Sequence, residues 1–326
     1  MIISMCHGSG GKETSNLIKD IFQKNFYNNV LDKMEDAAVV DISGKIAFTT
    51  DSFVVTPLFF NGGDIGKLAI CGTVNDLLMQ GAVPKYLTAG FIIEEGMDSE
   101  ALEKIVESMA HTAKVSGVKI VAGDTKVIEG NGGLYINTSG IGVVKNGTNI
   151  SASNCRPFDS IILSGTLGDH HSCILSHRMG IKNNIKSDVQ PLNELVLGLL
   201  HNGIKIKAMR DVTRGGLGTI LNELTESSHC GAEIYENKIP VNEEVKALAS
   251  ILGLDPIYMG NEGKFLMVVD KDHEKRAIEI LRTIKGGELA AVIGHIRAEG
   301  GVTLITPLGG RRTLQVLYGE GLPRIC

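Results

Sequence analysis

Between about residues 145 and 158 the chain loses its apolar periodicity and runs through Asn, Gly, Ser, Arg and Pro. Order of the same style resumes beyond that break, so the chain reads as two α/β halves of similar size, each long enough for its own core. In the first half, the spacing predicts a helix over 14–26 and a strand over 46–55. A helix over 65–80, a strand over 85–93 and a helix over 99–116, N-capped by Ser99, follow. A short strand over 119–122 is expected to run into Gly123-Asp124-Thr125-Lys126, and a strand over 134–144 closes the half. The second half gives strands near 160–164, 208–211, 232–235, 265–270, 290–296, 302–306 and 313–317. Helices are expected over 170–178, 192–202, 217–228, 242–252 and 273–284. Strands and helices do not alternate strictly, which predicts mixed sheets rather than a doubly wound parallel one. The expected units are a glycine-containing lead-in (1–35), a first domain (36–150), a second domain (151–318) and a tail (319–326).

Composition narrows the function. Net charge is −5, aromatic content is 5%, and no basic tract occurs, which argues against a nucleic-acid surface. No apolar run approaches the length of a membrane span. The six cysteines form no CxxC pair or disulfide framework, and the N-terminus has no basic or long apolar leader, so a reducing cytoplasm is the expected setting. Glycine is abundant, 40 of 326 residues, and falls largely in loops after apolar runs where backbone can approach a ligand closely.

Four aspartates stand at or near the ends of apolar runs: Asp36, Asp51, Asp76 and Asp124. Any one of them is explained as a turn former or cap. Together they would make the hard oxygen site that Mg²⁺ prefers, with phosphates completing its shell. Asp76 is the most telling, because it interrupts the apolar helical run from Leu68 to Met79. There is no GxxxxGK[ST], Rossmann GxGxxG, HExxH or GxSxG motif, so a nucleotide would have to bind by another design. His170, His171, Cys173 and His177 invite a metal reading, but the first two point to different helix faces, which favours a structural role. Cys71, Met79 and Met109 fit core positions.

The chain ends Pro323-Arg324-Ile325-Cys326, after Gly319-Glu320-Gly321-Leu322. Two glycines and a proline favour a movable tail, whose extended reach is roughly 25 Å at about 3.3–3.6 Å per residue. Such a tail would let one thiol visit two places.

Thr50-Asp51, Val74-Asn75-Asp76 through Gly81-Ala82 and Gly123-Asp124-Thr125-Lys126 resemble the signatures of the PurM-like (aminoimidazole ribonucleotide synthetase) ATP-binding superfamily. Asp211 to Leu217 resembles its second-domain phosphate loop. His7-Gly8-Ser9-Gly10-Gly11-Lys12, Gly168-Asp169-His170, Gly260-Asn261-Glu262-Gly263 and the final Pro-Arg-Ile-Cys are similar to the HypE branch of hydrogenase maturation proteins. One departure is His171-Ser172, where the family pattern would have Gly and a small apolar residue.

The resemblance implies a two-domain PurM-like α/β (α+β) fold with mixed sheets flanked by helices and a flexible C-terminal tail. It implies that Cys326 accepts a carbamoyl group from a HypF-like carbamoyltransferase. Mg-ATP then drives dehydration to an S-cyanide, and the cyanide passes to iron on a HypC–HypD complex. By the same resemblance, Asp36, Asp51, Asp76 and Asp124 hold Mg²⁺. Gly8, Gly10, Gly11, Asp211, Gly215 and Gly216 serve the nucleotide, Glu262 and Lys126 serve proton transfer and charge, and the protein is a homodimer. The alternatives are another PurM-like ATP enzyme, of the selenophosphate synthetase or thiamine-phosphate kinase type, with Cys6 beside the glycine loop, or a non-catalytic carrier on Cys326.

Overall fold

A computed structural model describes residues 1–317 of the chain; the tail and Cys326 lie outside the described residues. The lead-in forms α1 (Lys12–Leu17), a wider helical turn over Ile18–Gln23, and α2 (Lys24–Phe26), which together are the helix expected over 14–26. The first domain continues as β1 (Ile46–Phe53), a hairpin of β2 (Phe59–Phe60) and β3 (Gly63–Asp64), α3 (Ile65–Met79), β4 (Ala82–Glu94), α4 (Ser99–Val115), β5 (Lys119–Ile128) and β6 (Leu134–Val144). Its sheet has the order β1-β6-β4-β5, antiparallel except for the β4–β5 pair. Alternation along these strands, broken in β4 by an irregularity between Pro84 and Tyr86, buries one face against α3 and α4 and leaves the other more exposed.

The second domain comprises β7 (Ser160–Leu163), α5 (Asp169–Arg178), α6 (Asn193–His201), β8 (Ile206–Asp211), α7 (Gly216–Ser228), β9 (Gly231–Tyr235), α8 (Glu243–Leu252), β10 (Phe265–Val269), α9 (Glu274–Thr283), β11 (Ala291–Arg297), β12 (Val302–Ile305) and β13 (Arg311–Leu314). Its seven-stranded sheet runs β13-β12-β9-β11-β7-β10-β8, with β12 and β9 parallel. Both sheets are therefore mixed, as the irregular alternation predicts.

Two local expectations are corrected, and one element was not foreseen. Asp98, not Ser99, caps α4, its carboxylate accepting from the Glu100 amide. The strand expected over 119–122 does not stop there: β5 runs on through Gly123–Lys126 to Ile128, paired with β4. The hairpin of β2 and β3 has no expected counterpart, because two-residue strands are too short to show a period.

Helix α3 joins the two halves. Thirteen of its fifteen residues are buried; Lys67 and Asp76 are the exceptions. A helix that is apolar all round has to be enclosed on every side, and α3 packs between the four-stranded sheet, α4, and the β8 and α6 elements of the second domain. Leu68, Ile70, Val74 and Leu78 share one core with Leu195 and Leu199 of α6, so the domain boundary is not a break in the hydrophobic core. Asp64 caps α3 through the amides of Gly66 and Lys67 and also accepts from the Ser108 hydroxyl of α4. Close packing of α3 on α4 depends on Gly66, where a Cβ would lie 2.5 Å from the Ile105 carbonyl oxygen. Gly66→Ala is expected to destabilise the protein by about 1–3 kcal/mol through overpacking, read as a lower urea midpoint; an unchanged midpoint would mean that the helices separate without cost.

Candidate active site at the domain junction

Alternation along β1 turns Thr49 and Asp51 toward α3 and Thr50 and Ser52 to the outer face. The Thr49 hydroxyl donates to Asp76 Oδ2 at 2.8 Å, so the one carboxylate of α3 opens onto the end of β1. Asp51 accepts from the Ser52 amide at 2.8 Å. From the second domain, Asp211 ends β8, and Glu262 sits in the turn before β10. Each of the four carboxyls is partly shielded from solvent, and each resists ionisation. Burial pushes Asp51 and Asp76 up, and the Asp51 charge raises Asp76 further. Burial, followed by the charges of Asp76 and Asp51, pushes Asp211 up to about 7. Burial, with Asp211, Asp188 and Asp51 adding like charge, holds Glu262 well above the usual carboxylate range. Arg214 and Arg210 oppose these shifts without cancelling them.

Next to this cluster the chain turns through Gly215 and Gly216 into α7. Both have positive φ (82° and 61°), and a Cβ on Gly216 would lie 2.5 Å from the Ile257 carbonyl oxygen. The glycines thus carry the chain into the N-terminus of α7 beside Arg214, with the Gly216 amide donating to the Thr213 carbonyl at 3.0 Å, and a helix N-terminus so placed is suited to phosphate.

Other expected site residues stand elsewhere. Asp124 and Lys126 lie on the outer face of the sheet, exposed and paired at 2.9 Å, and that bond holds Asp124 below the usual carboxylate range. The register Ser52–Asn137–Gly90–Asp124 sets Asp124 three strands from β1, about 14 Å at ~4.8 Å per strand. Gly8 packs on Val127 of β5, and Gly8 and Gly10 share with Asp124 and Lys126 the lining of a cavity of ≈ 270 Å³ floored by Phe22, Phe26 and Phe91. Gly11 is the N-cap of α1, and Asp36 is exposed in the loop before β1. The fold therefore gathers the expected site residues in two places: Asp51, Asp76, Asp211, Glu262 and the Gly215–Gly216 turn in one, Lys126, Asp124 and the Gly8–Gly11 loop in the other.

The first part-site fits Mg²⁺ by the chemistry of its donors. It is short of positive charge, and every donor is a hard oxygen. Among the described residues no three acidic, histidine or cysteine side chains stand close enough to enclose a metal unaided, so phosphate oxygens and water would complete its shell. The metal reading of His170, His171, Cys173 and His177 is not met either: His170 and His171 are buried, with His170 Nδ1 bonded to the Ser187 hydroxyl. Cys71, Met79 and Met109 are core, as expected.

Sequence reasoning passed over Thr49, Asn75, Asp188 and Asn261 as functional residues. Asn261 bonds Gly168, Val212 and Met259 through its amide and so holds the Gly260–Gly263 turn against β8. The one available signal was period two along β1, which puts Thr49 on the face of Asp51.

Residues 34–144 match the family of the AIR synthase related protein N-terminal domain, and residues 156–306 match its C-terminal domain. Fold and junction thus define a two-domain, PurM-like protein of the AIR synthase-related class. The chain is 46% identical to carbamoyl dehydratase HypE of Azotobacter vinelandii over 99% of this chain and 97% of that protein. A crystal structure of hydrogenase maturation protein HypE in complex with ATP superposes with a TM-score of 0.95 at 43% identity, covering 99% of each chain. The HypE–HypF complex gives a TM-score of 0.82 at 48% identity, covering 92% of this chain and 99% of that one. The chain belongs to the HypE family of carbamoyl dehydratases, enzymes of hydrogenase maturation.

The crowded carboxyls have a measurable cost. Asp211 ionises near 7 in the folded protein against an ordinary 3.8, so its favourable contribution is present at low pH and is lost as pH rises from about 4 to 7. Without nucleotide or metal, Asp211→Asn should raise the melting temperature at pH 8 by about 2–4 °C, and by less at pH 5. Thermal melts at the two pH values check this; an equal or inverted effect would contradict the like-charge crowding.

Proposed function

We propose that this protein uses ATP to dehydrate an S-carboxamide carried on Cys326 to an S-cyanide, the source of a cyanide ligand for the iron of [NiFe]-hydrogenase. The observation that carries this reading is the gathering of Asp51, Asp76, Asp211 and Glu262 at the domain junction beside a glycine turn. Mg²⁺ would offset their like charge and tie a triphosphate to them.

An amide oxygen is a poor leaving group until phosphorylated. Attack of the carboxamide oxygen on the γ-phosphorus forms the O–P bond, breaks the bond to the bridging oxygen and releases ADP. One N–H proton leaves as the imidate forms. Loss of the second, with cleavage of the C–O bond, gives C≡N and inorganic phosphate. Glu262, in its ionised form a stronger base than a free carboxylate, takes the proton from nitrogen and returns it to the departing phosphate. The N-terminus of α7 at the Gly215–Gly216 turn receives phosphate oxygens, and Arg214 adds charge. Asp51, Asp76 and Asp211 would hold Mg²⁺, which when bound supplies charge neutralisation and alignment of the phosphates. Asp36 and Asp124 were also expected to hold the metal, but they lie outside this group within one chain.

The protein acts as a homodimer in this reading. The outer face of the four-stranded sheet exposes Ile46 and Phe48 at one end and Ile92 and Ile128, beside Lys126, at the other, with Thr50, Ser52 and Asn137 between them. A second copy seated there would cover apolar surface and present its Lys126 and glycine loop to a site they do not reach within their own chain. Phe48→Glu is expected to give a folded monomer with loss of dehydration, as light scattering after gel filtration would reveal; a dimer that survives the charge would place the interface elsewhere.

A HypF-like carbamoyltransferase loads Cys326, a HypC–HypD complex receives the cyanide, and the reaction runs in the cytoplasm. Among the described residues no helix is long and apolar enough to cross a membrane. Mass spectrometry of the C-terminal peptide tests the chemistry. With carbamoyl phosphate, HypF and ATP it should gain the mass of HNCO, then lose one water. Glu262→Gln should keep the gain and slow the loss of water about 10²–10⁴-fold. A peptide that never gains mass would sink the proposal, and a gain without any loss in the wild-type protein would leave a thiol carrier.

A further inference from the structure

Glu262 lies in a turn without regular structure, and two side chains from outside fix its course. Asp188 is buried, and its two carboxylate oxygens accept from the backbone amides of Glu262 (3.2 Å) and Gly263 (3.0 Å). Lys264 Nζ stands 3.5 Å from the same carboxylate and balances its charge. No side chain fits at Gly263, where a Cβ would lie 2.0 Å from the Asp188 carbonyl oxygen. The second fixing group is Asn75 of α3, itself 2% exposed. Its Nδ2 donates to the Gln190 carbonyl at 3.1 Å and reaches the Glu262 carbonyl at 3.5 Å, and its Oδ1 accepts from the Leu192 amide at 2.9 Å. Asn75 directly precedes Asp76. One helix position therefore grips the Glu262 turn while the next presents a carboxylate to the same site.

We propose that Asp188 and Asn75 are positioning residues for dehydration, holding the Glu262 carboxyl in register with Asp76 across the domain junction without touching substrate. The inference rests on the role given to Glu262 above. The residue types suit the task. A carboxylate accepts from two adjacent amides at once, whereas an asparagine in its place has one oxygen and a nitrogen that cannot accept. A primary amide at position 75 can both donate to carbonyls and accept from an amide, which no carboxylate or aliphatic side chain can do. Misplacing a reacting group by about 1 Å costs on the order of 10²-fold in rate.

The test uses the full-length protein, carbamoylated on Cys326 by HypF and carbamoyl phosphate, with loss of water after ATP addition followed by mass. Asp188→Asn and Asn75→Ala should each slow the single-turnover dehydration about 10²-fold. Carbamoylation and the ATP concentration giving half-maximal rate should stay unchanged. Glu262→Gln serves as reference, and adding Asp188→Asn to it should cause no further loss, because Asp188 acts through Glu262. Wild-type dehydration in both Asp188→Asn and Asn75→Ala overturns the inference, and so does an additive loss in the double variant. Loss of carbamoylation along with dehydration in both would assign the two residues to fold maintenance instead. Wild-type dehydration by Glu262→Gln would overturn the reading of Glu262 itself, and this inference with it.

Discussion

Like charge gathered at a domain junction is the constraint on which the rest of the molecule depends. Asp51 and Asp76 come from one domain, and Asp211 and Glu262 from the other, and each makes the next harder to ionise. Such a cluster opposes its own assembly, so other interactions must hold the domains together. The enclosed apolar helix α3 does so, sharing one core with α6 and closing against β8. Hydrophobic enclosure of one helix thereby keeps four acids in mutual range. The repulsion is then available to be relieved by a cation, which in turn accepts phosphate oxygens.

Much of this was legible in the sequence because it follows from period and composition. The two halves, the central break, the mixed sheets and nearly every helix came from apolar spacing. Asp76 was conspicuous as the single carboxylate in an apolar helical run. Its environment, however, reads differently in three dimensions: Asp76 is not enclosed with the rest of α3 but sits at the opening of the helix onto the site.

What the sequence concealed were relations between strands. Asp51 and Asp124 both looked like strand-end carboxylates, yet one faces the helices and the other the solvent, on strands three places apart. Nothing in a linear pattern gives strand order, so the separation of Lys126 from Glu262 could not be foreseen. Glycine misled in a related way: Gly123 reads as a loop former but lies within β5, where a Cβ would meet the Ala89 carbonyl at 2.7 Å. Asn75 and Asn261 stood inside the family motifs and Asp188 outside them, but the bonds of all three were hidden, since they reach backbone remote in sequence.

The continuous core around α3 also limits how this molecule can move. Domains that share a core and are stapled through Asn75 have no hinge, and opening them would expose apolar surface and strand buried polar groups together. Catalysis by clamshell closure is thus foreclosed. In the proposed reaction, transport between a loading enzyme and the junction falls to the substrate-bearing thiol, and the two domains serve as a fixed workbench to which it is delivered.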